Sequence, residues 1–71
     1  MTEKWRVGIV GYGDRGSHFA DVWSKIQSVE VVGVADPDPR ARERARAYLN
    51  CAVVPTIEHM IGNANPNILI V

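Results

Sequence analysis

Apolar positions along the chain follow two periods, and the switches between them mark out the elements. Trp5 to Val10 is a short, largely apolar run holding Val7, Ile9 and Val10, which predicts a strand covered on both faces in a parallel sheet. From Ser17 to Ser28 the apolar residues Phe19, Val22, Trp23 and Ile26 fall at helical spacing, so that face of a predicted helix packs on the sheet. Asp21 and Lys25 stand four apart on its outer side, acid before base, the better order for a helical ion pair. Val29 to Ala35 is β-branched and mostly apolar, a second strand brought parallel to the first by a right-handed crossover.

The second half continues the alternation. Asp38 is placed to cap a helix that opens with Pro39, where a missing amide hydrogen costs nothing, and runs to about Leu49. Ala41, Ala45, Tyr48 and Leu49 form its apolar side, while Arg40, Arg42, Glu43, Arg44 and Arg46 spread over the rest as a solvated face. Ala52 to Val54 predicts a short third strand closed by Pro55, and Thr56 caps a third helix through Ile61, ended by Gly62. Asn63 to Asn67 is a turn by composition, and Ile68-Leu69-Ile70-Val71 opens a fourth buried strand. Four apolar β-formers with no polar exit set the expectation that this chain is the front of a longer protein.

Between the first strand and the first helix lies Gly11-Tyr12-Gly13-Asp14-Arg15-Gly16, a G-x-G-x-x-G pattern. Glycines cluster in many ordinary turns, so the pattern draws its weight from context: strand before, helix after, apolar second strand, and an acid at the right distance. Each glycine has a separate task. Gly11 suits the sharp reversal, Gly13 lacks the Cβ that would keep a pyrophosphate off the main chain, and Gly16 lets helix and strand pack closely. Amides at the helix start have no internal partners and sit at the positive end of the helix dipole, which suits an anionic pyrophosphate. Asp36 follows Gly16 by twenty positions, at the tip of the second strand, where a carboxylate accepts hydrogen bonds from ribose hydroxyls. The plainer alternative is a tight structural turn with a surface Asp.

Bulk properties narrow the function classes. The 71 residues allow one small domain at most, which buries only about three-fifths of its unfolded surface. Eight basic residues balance eight acidic ones, so no electrostatic case exists for nucleic acid or a membrane as partner. Trp5, Tyr12, Phe19, Trp23 and Tyr48 suit core and site walls better than stacking on bases. Cys51 stands alone, cannot form an internal disulfide and reads as a small buried residue, with the cytoplasm as the default compartment. His18, His59 and Cys51 are too scattered for a metal-ligand pattern, and His18 reads as a helix-surface residue. No G-x-x-x-x-G-K-[S/T] points to an ATPase, and no stretch has transmembrane length or the core of a signal peptide.

With these residues placed, essentially the whole chain resembles the N-terminal part of the glucose-fructose oxidoreductase, inositol dehydrogenase and rhizopine-catabolism family (Gfo/Idh/MocA). The matching pieces are Val7 to Gly16, Val32 to Pro39, Thr56 to Ile61 and Asn65 to Val71. Ala35-Asp36-Pro37-Asp38-Pro39 carries most of the assignment, since the last two pieces match mainly by apolar pattern. The resemblance implies an α/β fold: a partial Rossmann domain, doubly wound and parallel, with strand order 3-2-1-4. Residues 1–71 are then the N-terminal part of a dinucleotide-binding domain, with the second half of the sheet and a substrate domain absent.

The resemblance also implies chemistry. Its members move a hydride between a nicotinamide cofactor and a sugar, polyol or related substrate. The cofactor-binding residues it implies are Gly11, Gly13, Asp14, Arg15 and Gly16 around the pyrophosphate, Asp36 at the adenosine ribose, and Arg40 near phosphate. The family's proton-handling lysine, in a Glu-Lys-Pro motif, has no counterpart within these 71 residues, so no catalytic residue is carried over. The chain alone is therefore expected to lack turnover, and a small-molecule substrate is expected only in the full-length parent. Asp36 favours NAD by repelling a 2′-phosphate, while Arg40 leaves NADP open through a salt bridge to it. Readings from another class are a non-catalytic nucleotide-binding or sensing module and an S-adenosyl-cofactor domain. Finally, Ile68 to Val71 would form an apolar open edge, which sets the expectation of self-association.

Overall fold

The computed structural model describes residues 4–71, apart from the side chain of Arg15. The elements run β1 (Trp5–Val10), α1 (Asp14–Ser24), β2 (Val29–Ala35), α2 (Pro39–Tyr48), β3 (Ala52–Val54), α3 (Ile57–Ala64) and β4 (Ile68–Ile70). All the strand pairings are parallel and the sheet order is β3-β2-β1-β4, the expected 3-2-1-4. Parallel neighbours force crossovers over the faces of the sheet, and the three helices divide between them. On one side Val7, Ile9, Val29 and Val34 bury against Ala20 of α1 and against Ala41 and Ala45 of α2. On the other, Met60 and Ala64 of α3 bury with Ala35 against Val10, Val32, Ala52 and Val54. This is a doubly wound sheet, the Rossmann arrangement.

A bulge sets which residues face which helix. The pairing of β1 with β2 runs Val7↔Val31 and then Gly8↔Gly33, so Val32 is an extra residue in β2. It resets the alternation: Val29, Val31 and Val34 join the α1/α2 side, whereas Val32 and Ala35 join the α3 side. Gly8 and Gly33 thereby lie side by side beneath Met60, whose side chain occupies the space that their missing Cβ atoms leave.

The caps form as the sequence predicts. The Asp38 carboxylate accepts from the Arg40 amide at 3.0 Å with Pro39 opening α2, and the Thr56 hydroxyl accepts from the His59 amide at 3.2 Å. Lys25 donates to Asp21 at 3.2 Å across the solvent face of α1, worth only a few tenths of a kcal/mol.

Other expectations are corrected. Helix α1 begins at Asp14 and ends at Ser24, earlier at both ends than the span Ser17 to Ser28. Its buried anchor is Ala20, with Trp23 partly buried, while Val22 and Ile26 face solvent, because the helix lies so close to the sheet that small residues make the contact. Tyr48 is 81% exposed and Trp5 58% exposed, so neither serves the core. Helix α3 continues through Gly62 and Asn63 to Ala64, and the left-handed cap is Asn65 at φ 50°, a conformation that asparagine tolerates. Arg6 on β1 secures that end, donating through Nε to the Asn65 carbonyl at 3.2 Å and through Nη2 to that of Ala64. Cys51 is half-buried rather than buried, and desolvation still pushes its thiol above the ordinary range.

Candidate functional site

Strand β1 ends between two neighbours whose crossovers lie on opposite faces, and the loops after the strands diverge there, opening a crevice. The glycine turn follows β1 at this point. Gly11 has φ +92°, in the region that L side chains avoid, and its amide donates to the Ala35 carbonyl at 2.7 Å, so the reversal is tied to the end of β2. A Cβ on Gly16 would collide with the Gly11 carbonyl, 2.9 Å from its carbon and nearer still to its oxygen. The close approach is thus made first to the turn itself, with the β1 side chain of Ile9 farther away at 3.8 Å. Gly13 differs from both. A Cβ there would meet no protein atom within 4 Å, so nothing in the fold demands glycine at that position.

Helix α1 starts on this turn. Gly13 is its N-cap and supplies no side-chain acceptor, so the first amides of the helix are left for an outside partner. Asp14, exposed in the first turn, carries a charge of the same sign as a phosphate, and what it offers an anion is its backbone. A cleft of about 270 Å3 opens here, walled by Val10, Gly13, Asp14, Phe19, Ile70 and Val71 among others. A wider hollow of about 610 Å3, reaching from Lys4 to Lys25, lies at the opposite end of the sheet. It faces the carbonyl end of α1, which is the repulsive pole for an anion.

Asp36 stands immediately after β2 and is buried. Its Oδ2 accepts the Tyr12 amide at 2.7 Å and its Oδ1 accepts the Asp38 amide at 2.9 Å. One carboxylate thus joins the glycine turn to the start of α2, and each oxygen retains a lone pair for a hydroxyl donor. The Tyr12 side chain turns away from the cleft into the α1/α2 core, where burial, followed by Tyr48 and Cys51, pushes its phenol pKa up. It acts as a peg that seats the turn.

Among the predicted site residues, the structure brings together Gly11, Gly13, Asp14 and Gly16, and Asp36 meets them through Tyr12. Arg40 is exposed in the first turn of α2, its amide held by Asp38. The Arg15 side chain lies outside the described residues. Reading the α2 arginines as a solvated face missed their anchors. Arg42 donates to the carbonyls of Asp36 and Pro37 at 2.8 and 3.0 Å, Arg44 to Tyr12 at 3.4 Å, and Arg46 to Val53 at 3.4 Å. Backbone carbonyls leave no mark in a sequence, so only the i to i+6 spacing of Asp36 and Arg42 could have hinted at this.

Residues 5–71 match the model of the oxidoreductase family with an NAD-binding Rossmann fold, Gfo/Idh/MocA. The chain belongs to this family. Among solved structures it is similar to apo scyllo-inositol dehydrogenase from Lactobacillus casei, with a TM-score of 0.79 at 26% identity over 97% of this chain and 21% of that one. It is also similar to the WlbA dehydrogenase from Bordetella pertussis, solved with NADH and UDP-GlcNAcA, with a TM-score of 0.84 at 25% identity over 100% of this chain and 21% of that one. This Gfo/Idh/MocA chain therefore spans about a fifth of the length of those dehydrogenases. No curated protein matches it. Among the described residues, no helix is long and apolar enough to cross a membrane.

Proposed function

We propose that the chain is the N-terminal part of a dinucleotide-binding domain that grips the adenosine and pyrophosphate end of NAD. The observation that carries this reading is Gly13, whose missing Cβ leaves a space that no protein atom claims, directly at the uncapped start of a helix. A tight structural turn would need Gly11 and Gly16 but not Gly13. The amides of the first turn of α1, which no side chain caps, receive the pyrophosphate, and Asp36 accepts the adenosine ribose hydroxyls. Arg40 stands near enough in sequence to the same strand end to serve phosphate, but the Asp36 charge puts NAD ahead of NADP. NAD supplies the hydride acceptor, and the full-length polypeptide is proposed to pass a hydride between it and a sugar, polyol or related substrate. The 71 residues themselves are proposed to lack turnover, since they bring the grip without an acid-base residue.

Gly13→Ala tests the reading in the full-length polypeptide. Its denaturation midpoint is expected to stay near that of the wild type, while NAD affinity in a calorimetric titration falls by about tenfold or more, as a methyl group displaces the phosphate from its amides. Equal NAD affinity in the two proteins would remove the assignment. Wild-type protein that binds S-adenosylmethionine and not NAD would move it to the other nucleotide class.

The expected open edge bears on the isolated chain. Among the described residues strand β4 pairs with β1 alone, and Ile68, Leu69 and Val71 are exposed, the last by 89%. We therefore propose that the 71-residue polypeptide by itself pairs with a second copy through residues 68–71, which satisfies the free edge and covers its side chains. Sedimentation at micromolar concentration is expected to give a dimer or larger species. A folded, monodisperse monomer would overturn this.

A further inference from the structure

We propose that Arg42 is a positioning residue for the nucleotide, acting through Asp36 rather than on the ligand. The inference rests on the dinucleotide reading and deepens it. A carboxylate selects ribose hydroxyls only while its oxygens keep a fixed aim, and Asp36 sits where regular structure has just ended. Two amides hold that carboxylate, from Tyr12 and from Asp38. The Asp38 amide belongs to the same short turn and moves with it; from outside, the Asp36 amide is tied to the Val54 carbonyl at 3.0 Å, which leaves the carbonyl side of the turn to be held. Arg42 holds it from within α2: a single guanidinium nitrogen donates to the Asp36 carbonyl at 2.8 Å and to the Pro37 carbonyl at 3.0 Å. Two successive carbonyls held by one rigid group fix the orientation of the two peptide planes that flank Pro37.

The neighbouring arginines set Arg42 apart. Arg40, Arg44 and Arg46 are exposed, whereas Arg42 is half-buried over the turn. Its two bonds are shorter than the 3.4 Å reaches of Arg44 and Arg46. Without Arg42 the carbonyls of Asp36 and Pro37 lose their donor, so the turn loosens on the side that the bond from the Asp36 amide to the Val54 carbonyl does not hold and the carboxylate's aim at the ribose broadens, while the amides at the start of α1 keep their place. The loss is therefore confined to ligands that present adenosine ribose hydroxyls.

The test compares NAD with nicotinamide 2′-deoxyadenine dinucleotide, titrated into the full-length wild type and its Arg42→Met variant. Wild type is expected to prefer NAD. Arg42→Met is expected to weaken NAD by about tenfold and the deoxy analogue, which keeps only the 3′-hydroxyl, by several-fold less, so that the preference narrows. Arg46→Met removes a carbonyl anchor at the far end of the same helix and is expected to keep the wild-type ratio. If Arg42→Met weakens both ligands equally, or neither, the positioning role is overturned while the dinucleotide reading stands. If wild type binds neither ligand, that reading fails and the inference with it. Should Arg42→Met not fold, Arg42→Lys carries the same test, because a single ammonium keeps the charge but not the two-carbonyl clamp. A wild-type ratio in Arg42→Lys then counts against the role.

Discussion

Asp36→Asn is expected to weaken NAD binding by about ten- to a hundredfold and to destabilise the fold as well. The two oxygens of Asp36 face two backbone donors, the amides of Tyr12 and Asp38. Asparagine has one oxygen for the two, so whichever way its amide turns, an NH2 group meets an N–H. The oxygen goes to the buried Tyr12 amide, and the half-buried Asp38 amide loses its acceptor, at about 0.5–1.5 kcal/mol. A domain with about 0.05–0.15 kcal/mol of stability per residue has little margin for that. On the ligand side, a charged acceptor for the ribose hydroxyls becomes a neutral one, and hydrogen bonds to charged groups are worth about 1.5–3 kcal/mol. Removing the negative charge also removes the repulsion toward a 2′-phosphate, so NADP should lose less affinity than NAD or gain some. Urea denaturation and paired titrations with NAD and NADP read the effects separately. An unchanged midpoint together with an unchanged NAD to NADP ratio would rule out the role given to this carboxylate.

Gly16→Ala is expected to be the most damaging single methyl group in the chain. Its added carbon would have to share space with the Gly11 carbonyl, and that carbonyl cannot yield. Gly11 is held at φ +92° and tied to Ala35 by a 2.7 Å bond, so relief must come from lifting α1 off the sheet. Ala20, fully buried one turn later, would then lose its contacts. Overpacking of a rigid site typically costs about 1–3 kcal/mol, and a collision with backbone on this scale belongs at or beyond the upper end. The expected outcome is a large fall in the unfolding midpoint, in contrast to Gly13→Ala, which should leave that midpoint in place. If the two variants melt alike, the division of labour within the glycine motif is wrong.

Local signals were legible where the interaction itself is local. Asp38 with Pro39 and Thr56 announce helix starts because the capping bond joins residues two or three apart. Strands β1 and β2 begin and end where the pattern puts them, because an apolar run buried on both faces has few alternatives, whereas β4, expected buried through Val71, stops at Ile70 with Ile68 and Leu69 exposed, since no strand covers its outer edge among the described residues. The bounds of α1 failed for a physical reason: the last three residues of the glycine motif are also the first turn of the helix. Its buried face was misplaced because periodicity weighs large side chains, whereas close packing here selects Gly16 and Ala20. Gly62 looked like a stop, but an exposed helix tolerates glycine and Asn65 took the left-handed cap three residues later. In the site, the glycines and Asp36 were visible through their spacing. The Tyr12 peg and the Arg42 clamp were not, since each depends on what tertiary folding brings beside it.

The central position of β1 also dictates an order of assembly. Its partner β2 arrives after a single helix, but its other edge waits for β4 and for Asn67, which exchanges backbone and side-chain bonds with Arg6 across 61 residues. Loop-closure entropy must be met before those distant pairings give anything back, so β4 docks late and sets the pace of folding. On the ribosome, where synthesis runs at about 5–20 residues per second, this leaves one edge of β1 bare for several seconds. During that interval the nascent chain presents one unpaired edge of Val7, Gly8 and Ile9, open to pairing with a foreign strand until Ile68 emerges.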